Sequence, residues 1–394
     1  MIKMKDNKKI LVVSNGHGED IISSNLIKSL FENSKSEKFE IDVFPFVGEG
    51  KDFNGLDVNK IGPTVKLPSG GFARNSVSNL WQDLKAGLLS NTFRQIKILR
   101  KAKNLYESTI VVGDVYILLL TGFFKGGNII FLPTAKSEYI DGHYKMEKNI
   151  MKKYASLVLP RDMKTKDDLI QYGINAEFYG NLMMDCFEIK DLDFQLKDES
   201  TKIGILPGSR KEAYDNMIDF MKVIEELEKI ETSHFDFLTA VAGGFSIDLL
   251  KSKVTDTSWE IEECDQDYTK LKLYSPKGNK IIHIIFNGFG DVLDQAKLFL
   301  GMAGTANEQA VGMGKPVITF PGTGAQFDYE FAADQKRLLG DGVKLMDRKF
   351  KNIAYGLIEL LEDDKEYRKR SEAGKKRMGD RGAVKVVSMR ILDF

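Results

Sequence analysis

Short, uniformly apolar segments alternate with helical stretches along most of this chain, and the alternation runs twice. In the first half, Ile10 to Ser14, Ile41 to Phe44, Thr109 to Gly113, Asn128 to Leu132 and Ser156 to Leu159 read as strands, with a helix over Ile21 to Phe31. The pattern restarts with strands at Lys202 to Leu206, Phe235 to Val241, Lys280 to Phe286, Leu298 to Leu300 and Val317 to Phe320, and a helix over Glu212 to Glu228. A strand that is apolar at every position must be covered on both faces, which requires parallel strands joined by helical crossovers. The fold class is therefore α/β, with two Rossmann-like parallel-sheet domains facing a cleft. The 394 residues suffice for two separate cores.

The expected boundaries are an N-terminal domain over 1–187, a C-terminal domain over 188–375, and a segment over 376–394 that returns toward the first. The polar, acidic stretch Glu188 to Thr201 serves as linker. Alternation around Trp259 and Leu271, with the Ser275-Pro-Lys-Gly turn, predicts a β-hairpin insertion within Lys253 to Lys280. Lys351 to Leu361 and Asp364 to Arg377 read as charged amphipathic helices.

Charge and composition exclude several classes. Fifty-seven basic residues balance 57 acidic ones, so no net field draws in nucleic acid, and none is expected as a partner. Two cysteines, Cys186 and Cys264, and four histidines give no metal-ligand or disulfide spacing, so no metal is expected. The start of the chain runs from charge straight into a strand, without the apolar stretch of a signal peptide. The longest apolar run, Tyr116 to Phe124, is about half of a membrane span. The expectation is a cytoplasmic protein, with attachment to the inner face of the cytoplasmic membrane still open.

The richest functional signal lies at 298–321. A strand ends at Gly301, small residues turn through Met302 to Thr305, and a helix opens at Ala306 or Asn307. Such a turn leaves backbone N–H groups unpaired at the positive end of a helix dipole, which suits a phosphate or diphosphate. Glu308 in the first turn would repel a bare phosphate but can accept hydrogen bonds from the hydroxyls of a neighbouring ribose. Ordinary capping explains the same residue. Gly304, Thr305, Asn307, Glu308 and Gln309 are the candidates here.

Other strand ends add to it. Leu206-Pro-Gly-Ser-Arg210 offers Gly208 and Ser209 as donors and Arg210 as a permanent charge for bidentate phosphate contact. Gly243 and Asn287 follow two further strands and would line the donor through backbone groups or remain structural. Gln326 and Asp328, after the last core strand, are candidate sugar contacts. After the first strand, Gly16, Gly18 and Glu19 surround His17, a candidate base or helix cap. Asp114, after Gly113, would orient His17, act alone, or cap a helix. The order Gly16-His-Gly18 with Ile21 does not match a dinucleotide loop, so no bound cofactor is expected. Finally, Leu67 to Lys103 mixes Phe72, Trp81, Leu84 and Phe93 with Arg74, Lys85, Arg94, Lys97 and Arg100. It reads as an interfacial segment that draws in a lipid acceptor, or as a core-facing helix with a basic outer face.

Ile205-Leu-Pro-Gly-Ser-Arg210, Phe178-Tyr-Gly-Asn-Leu-Met-Met-Asp185, and Gly304-Thr-Ala-Asn-Glu-Gln309 with Gly314-Lys-Pro316 resemble lipid-A-disaccharide synthase in order and spacing. Ser14-Asn-Gly-His-Gly-Glu-Asp20 and Gly304-Thr-Ala-Asn-Glu-Gln-Ala-Val-Gly-Met-Gly-Lys-Pro316 resemble more closely still the branch of lipid-A-disaccharide synthase-related proteins. The resemblance implies a B-type glycosyltransferase fold and inverting, metal-independent transfer from a UDP-sugar to a lipid, glycolipid or cell-envelope precursor. It implies Arg210 on the donor diphosphate, Glu308 on the ribose and Asp114 in catalysis. Two departures, Gly-His-Gly-Glu-Asp in the first loop and Asp114-Val-Tyr-Ile after Gly113, fall on the acceptor side. A nucleotide-sugar 2-epimerase of the same fold, which needs no acceptor, and a non-catalytic nucleotide-sugar-binding protein are the alternative readings.

Overall fold

A computed structural model describes residues 8–34, 39–62, 88–196, 200–324 and 326–394, with the side chains of Lys8, His17 and residues 88–92 outside the description. The chain divides into two compact units. One takes the chain up to Cys186 together with Arg381–Phe394, and the other is Phe187–Asp380.

The N-terminal unit holds strands β1 (Lys8–Ser14), β2 (Phe39–Pro45), β3 (Asn59–Lys60), β4 (Ser108–Gly113), β5 (Asn128–Pro133) and β6 (Leu157–Val158). They form one parallel sheet in the order β3-β2-β1-β4-β5-β6. Its helices are α1 (His17–Asn33), α2 (Leu88–Lys101), α3 (Val115–Phe124), α4 (Lys145–Tyr154), α5 (Met163–Gln171) and, from the chain's end, a helix over Ala383–Leu392. The reason for the apolar strands is visible in β1. Ile10 and Val12 pack with Leu26, Ile27 and Leu30 of α1 on one face. Leu11 and Val13 pack with Leu99, Ile117 and Met151 on the other. The C-terminal helix joins the first face through Val384, Val387 and Ile391. Its Ser388 bonds Ser29 of α1 at 2.9 Å, and Arg390 holds Glu177 with two 2.8 Å bonds.

Helix α1 begins earlier than expected, at His17. Gly16 is its cap residue, with Glu19 and Asp20 in the first turn facing the helix dipole. Of the basic segment at 67–103, residues 67–87 lie outside the described residues. The remainder is α2, which packs inward through Leu99 and Gln95, the latter donating to the Phe46 carbonyl at 2.7 Å. Phe93 on the same helix is 71% exposed.

The C-terminal unit is built on β7 (Thr201–Leu206), β8 (Phe235–Ala240), β9 (Glu260–Glu263), β10 (Thr269–Tyr274), β11 (Lys280–Ile285), β12 (Leu298–Gly301), β13 (Val317–Thr319) and β14 (Val343–Leu345). The order is β14-β13-β12-β7-β8-β11-β10-β9, with β10 antiparallel to both its neighbours, β11 and β9, and every other pair parallel. The expected insertion is therefore a meander that extends the sheet: Ser275 to Gly278 turns β10 into β11, and β9 forms the outer edge. The helices are α6 (Ala213–Ile230), α7 (Ile247–Val254), α8 (Phe289–Gln295), α9 (Thr305–Gly312), α10 (Tyr329–Leu339), α11 (Phe350–Glu362) and α12 (Asp364–Met378), which makes the chain's last helix α13. The predicted linker is tied to α8. Asp291 of α8 is buried and accepts the N–H groups of Lys190 and Leu192, each at 2.9 Å.

Candidate functional site

In parallel sheets the loops at the carboxyl ends of the strands are free to hold ligands. In the C-terminal unit, β7 and β12 are adjacent, with Leu206 opposite Gly301. Their following loops therefore leave the same edge side by side. After β7, Gly208 takes φ +95°, a left-handed backbone that glycine adopts without strain. A Cβ there would sit 3.2 Å from the Met302 carbonyl, so the two loops touch. Ser209 and Arg210 follow, both exposed. The Arg210 guanidinium donates to the Gln326 carboxamide, which brings the loop after β13 onto the loop after β7. Gly322 and Phe327 close that third loop with a 2.8 Å backbone bond. Asp328, a candidate sugar contact, caps α10 by accepting the Phe331 N–H at 2.8 Å.

After β12 the chain turns through Met302 and Ala303 to Gly304, and α9 opens at Thr305, one residue before the sequence suggested. Thr305 is exposed, and Gly304 and Glu308 are partly so. Asn307 and Gln309 do not line this edge. Asn307 is 0% exposed, and its Nδ2 donates to the Gly301 carbonyl at 3.2 Å and to Gln335 Oε1 at 2.8 Å. Gln309 is buried as well. Helix phase explains Asn307, which shares a face with Ala310 and Val311, three and four residues on, both of them in the core. That apolar pair was the available signal. Gln335 of α10 was not anticipated. Its Nε2 donates to the carbonyls of Ala303 at 2.8 Å and Gly304 at 3.2 Å.

The other two turns differ in kind. Gly243 is exposed, with open space where a Cβ would be. Asn287 is exposed with φ +56°. Gly290, just beyond, is structural: a Cβ there would lie 1.8 Å from the Glu188 carbonyl oxygen.

In the N-terminal unit the strand order reverses between β1 and β4, the place where such sheets leave a crevice. The loops on either side are in contact, because a Cβ on Gly113 would lie 2.7 Å from the Asn15 side chain. Asp114 stands there, partly exposed, and one carboxylate oxygen accepts the Ile117 N–H at 3.0 Å as the cap of α3. Glu19, in the first turn of α1, accepts from the Thr134 hydroxyl at 3.0 Å, linking α1 to the loop after β5. Gly18 is exposed with nothing near a built Cβ, so nothing in its surroundings requires glycine. His17 opens α1, and its side chain lies outside the described residues.

Among the described residues, no three or more His, Cys, Asp and Glu side chains group so as to hold a metal ion. No helix among them is long and apolar enough to cross a membrane.

No protein-family model matches the chain, and a search of curated proteins returns no significant match. Solved structures do resemble it over nearly its whole length. The UDP-GlcNAc 2-epimerase of Neisseria meningitidis bound to UDP-GlcNAc aligns with a TM-score of 0.61 at 14% identity, covering 98% of this chain and 100% of that one. Acinetobacter baumannii MurG gives 0.61 at 11% identity, covering 98% and 100%. The calicheamicin glycosyltransferase CalG4 gives 0.61 at 12% identity, covering 98% and 97%. At these identities the likeness is one of architecture, and the two parallel-sheet units of this chain have the B-type glycosyltransferase fold.

Proposed function

We propose that this chain is an enzyme of UDP-sugar metabolism whose C-terminal unit holds the nucleotide diphosphate sugar. The observation that carries the reading is the meeting of the Gly208-Ser209-Arg210 loop with the start of α9 at the ends of two adjacent strands. There a guanidinium, exposed peptide N–H groups and a helix dipole favour a diphosphate. Glu308 supplies an acceptor for ribose hydroxyls, and Gly243 and Asn287 border the same edge. Asp114, with His17, is the proposed proton-handling pair of the N-terminal unit.

Of the two reactions such a site could serve, epimerisation at C2 of a UDP-N-acetylhexosamine has the broader support, because UDP-GlcNAc 2-epimerases recur among the similar structures. Transfer to a lipid or envelope acceptor is the second reading. It is favoured by the Gly-Ser-Arg and Gly-Thr-Ala-Asn-Glu-Gln motifs, which resemble lipid-A-disaccharide synthase. Incubation with UDP-GlcNAc alone separates them, since an epimer forms without acceptor only in the first case. For either reaction, Arg210→Ala should weaken UDP binding by roughly 10- to 100-fold, the worth of a lost charge-assisted contact. Arg210 is exposed, so folding should not change. Equal UDP affinity in the variant would remove Arg210 from the site.

A further inference from the structure

We infer that two buried carboxamides, Gln335 and Asn216, are positioning residues that aim backbone N–H groups at the diphosphate; this rests on the donor-site reading above. In a trans peptide the carbonyl of one residue and the N–H of the next point in opposite directions, and the described residues contain no cis bond. Gln335 Nε2 holds the carbonyls of Ala303 and Gly304, at 2.8 and 3.2 Å. The N–H groups of Gly304 and Thr305 must then point away from α10. Asn216 of α6 repeats the device on the neighbouring loop: its Nδ2 holds the Pro207 carbonyl at 2.9 Å, which turns the Gly208 N–H away from α6.

None of these three N–H groups makes a hydrogen bond among the described residues. Both carboxamides are nearly inaccessible, Asn216 at 4% and Gln335 at 4% exposure. Gln335 is itself held, because Asn307 donates to its Oε1 at 2.8 Å, and Asn307 is anchored on Gly301. A further donor, the Thr319 hydroxyl, binds the Gly301 carbonyl at 2.6 Å. The carbonyls of Pro207, Gly301, Ala303 and Gly304 are thus all drawn inward by side chains from four different elements. The loops touch where Gly208 meets Met302. Donors fixed in advance need not be reorganised when the charged group arrives.

The test compares UDP with uridine by calorimetry or competition, using the full chain and the variants Gln335→Met and Asn216→Leu. Both keep side-chain volume while deleting the donor to the carbonyl. Each should weaken UDP by about tenfold or more, the size of one charge-assisted bond, while uridine binding stays within about twofold. A purely structural role would lower thermal stability and leave the UDP-to-uridine affinity ratio unchanged, and that result overturns the inference. Amide NMR of the unmodified chain removes any dependence on variant folding: the Gly208, Gly304 and Thr305 resonances should shift on addition of UDP. Bound UDP with those three amides unmoved also overturns it. Absence of UDP binding by the unmodified chain is a different outcome, which defeats the donor-site reading and this inference with it.

Discussion

Replacing Gly301 by Ala places a methyl group where the donor-side scaffold has no room. The new Cβ would lie 2.1 Å from Asn307 Oδ1, 2.8 Å from its Cγ and 3.0 Å from Nδ2. Asn307 cannot step aside cheaply, since it is fully buried and bonded to Gly301 and Gln335. Losing those two hydrogen bonds costs about 1 kcal/mol each. Overpacking a filled interior adds about 1–3 kcal/mol. The total, about 3–5 kcal/mol, lowers the melting temperature of a unit this size by roughly 10 °C. A thermal melt of the full chain followed by circular dichroism measures this directly. UDP affinity should fall in parallel, because the displaced Asn307 no longer steadies Gln335. A variant that melts within about 2 °C of the parent, less than 1 kcal/mol would produce, and binds UDP equally would refute the reasoning from Gly301 through Asn307 to the loop.

Two further predictions concern other parts of the chain. Burial pushes the His143 imidazole from its usual 6.5 down to about 4, with Lys136 and Lys148 opposing its charge and Glu147 and Asp168 favouring it. Between those values the unfolded chain binds the proton that the folded chain refuses, so stability falls as pH drops from 6.5 toward 4. His143→Gln should flatten that slope by up to about 3 kcal/mol over the range, as read from urea midpoints at pH 7 and pH 4.5; an unchanged slope would place the imidazole in solvent. Both thiols are partly buried, and burial raises that of Cys186 to about 12, while that of Cys264 is also raised but is less enclosed. Iodoacetamide at pH 8 should therefore label Cys264 first by peptide mass spectrometry, and faster labelling of Cys186 would contradict its buried environment.

Much of the architecture was legible because hydrophobic patterning states it twice. Strands such as β1 and β4 are apolar at successive positions, and the structure buries those positions on both faces. The two-residue strand β3 was not read, since so short and polar an element carries no periodicity, whereas the equally short β6 was marked by the apolar run Leu157 to Leu159. The last helix was expected only as a returning segment, although Val384, Val387 and Ile391 are spaced to make one apolar stripe. At the proposed donor edge, the glycine turns and Arg210 were candidates through residue type alone. Side-chain direction did not: Asn307 and Glu308 are neighbours, yet one faces the core and the other the surface. Gln335 was hidden for a different reason. It acts on carbonyls about thirty residues earlier in sequence, and only the packing of α10 against the loop after β12 brings them together.

The most direct test of the whole account is a crystal structure of the full chain with UDP. The account predicts phosphate oxygens about 3 Å from the Gly208, Gly304 and Thr305 nitrogens and from the Arg210 guanidinium, with Glu308 against the ribose. A nucleotide seated elsewhere, with Arg210 and Glu308 turned away from it, would contradict that prediction.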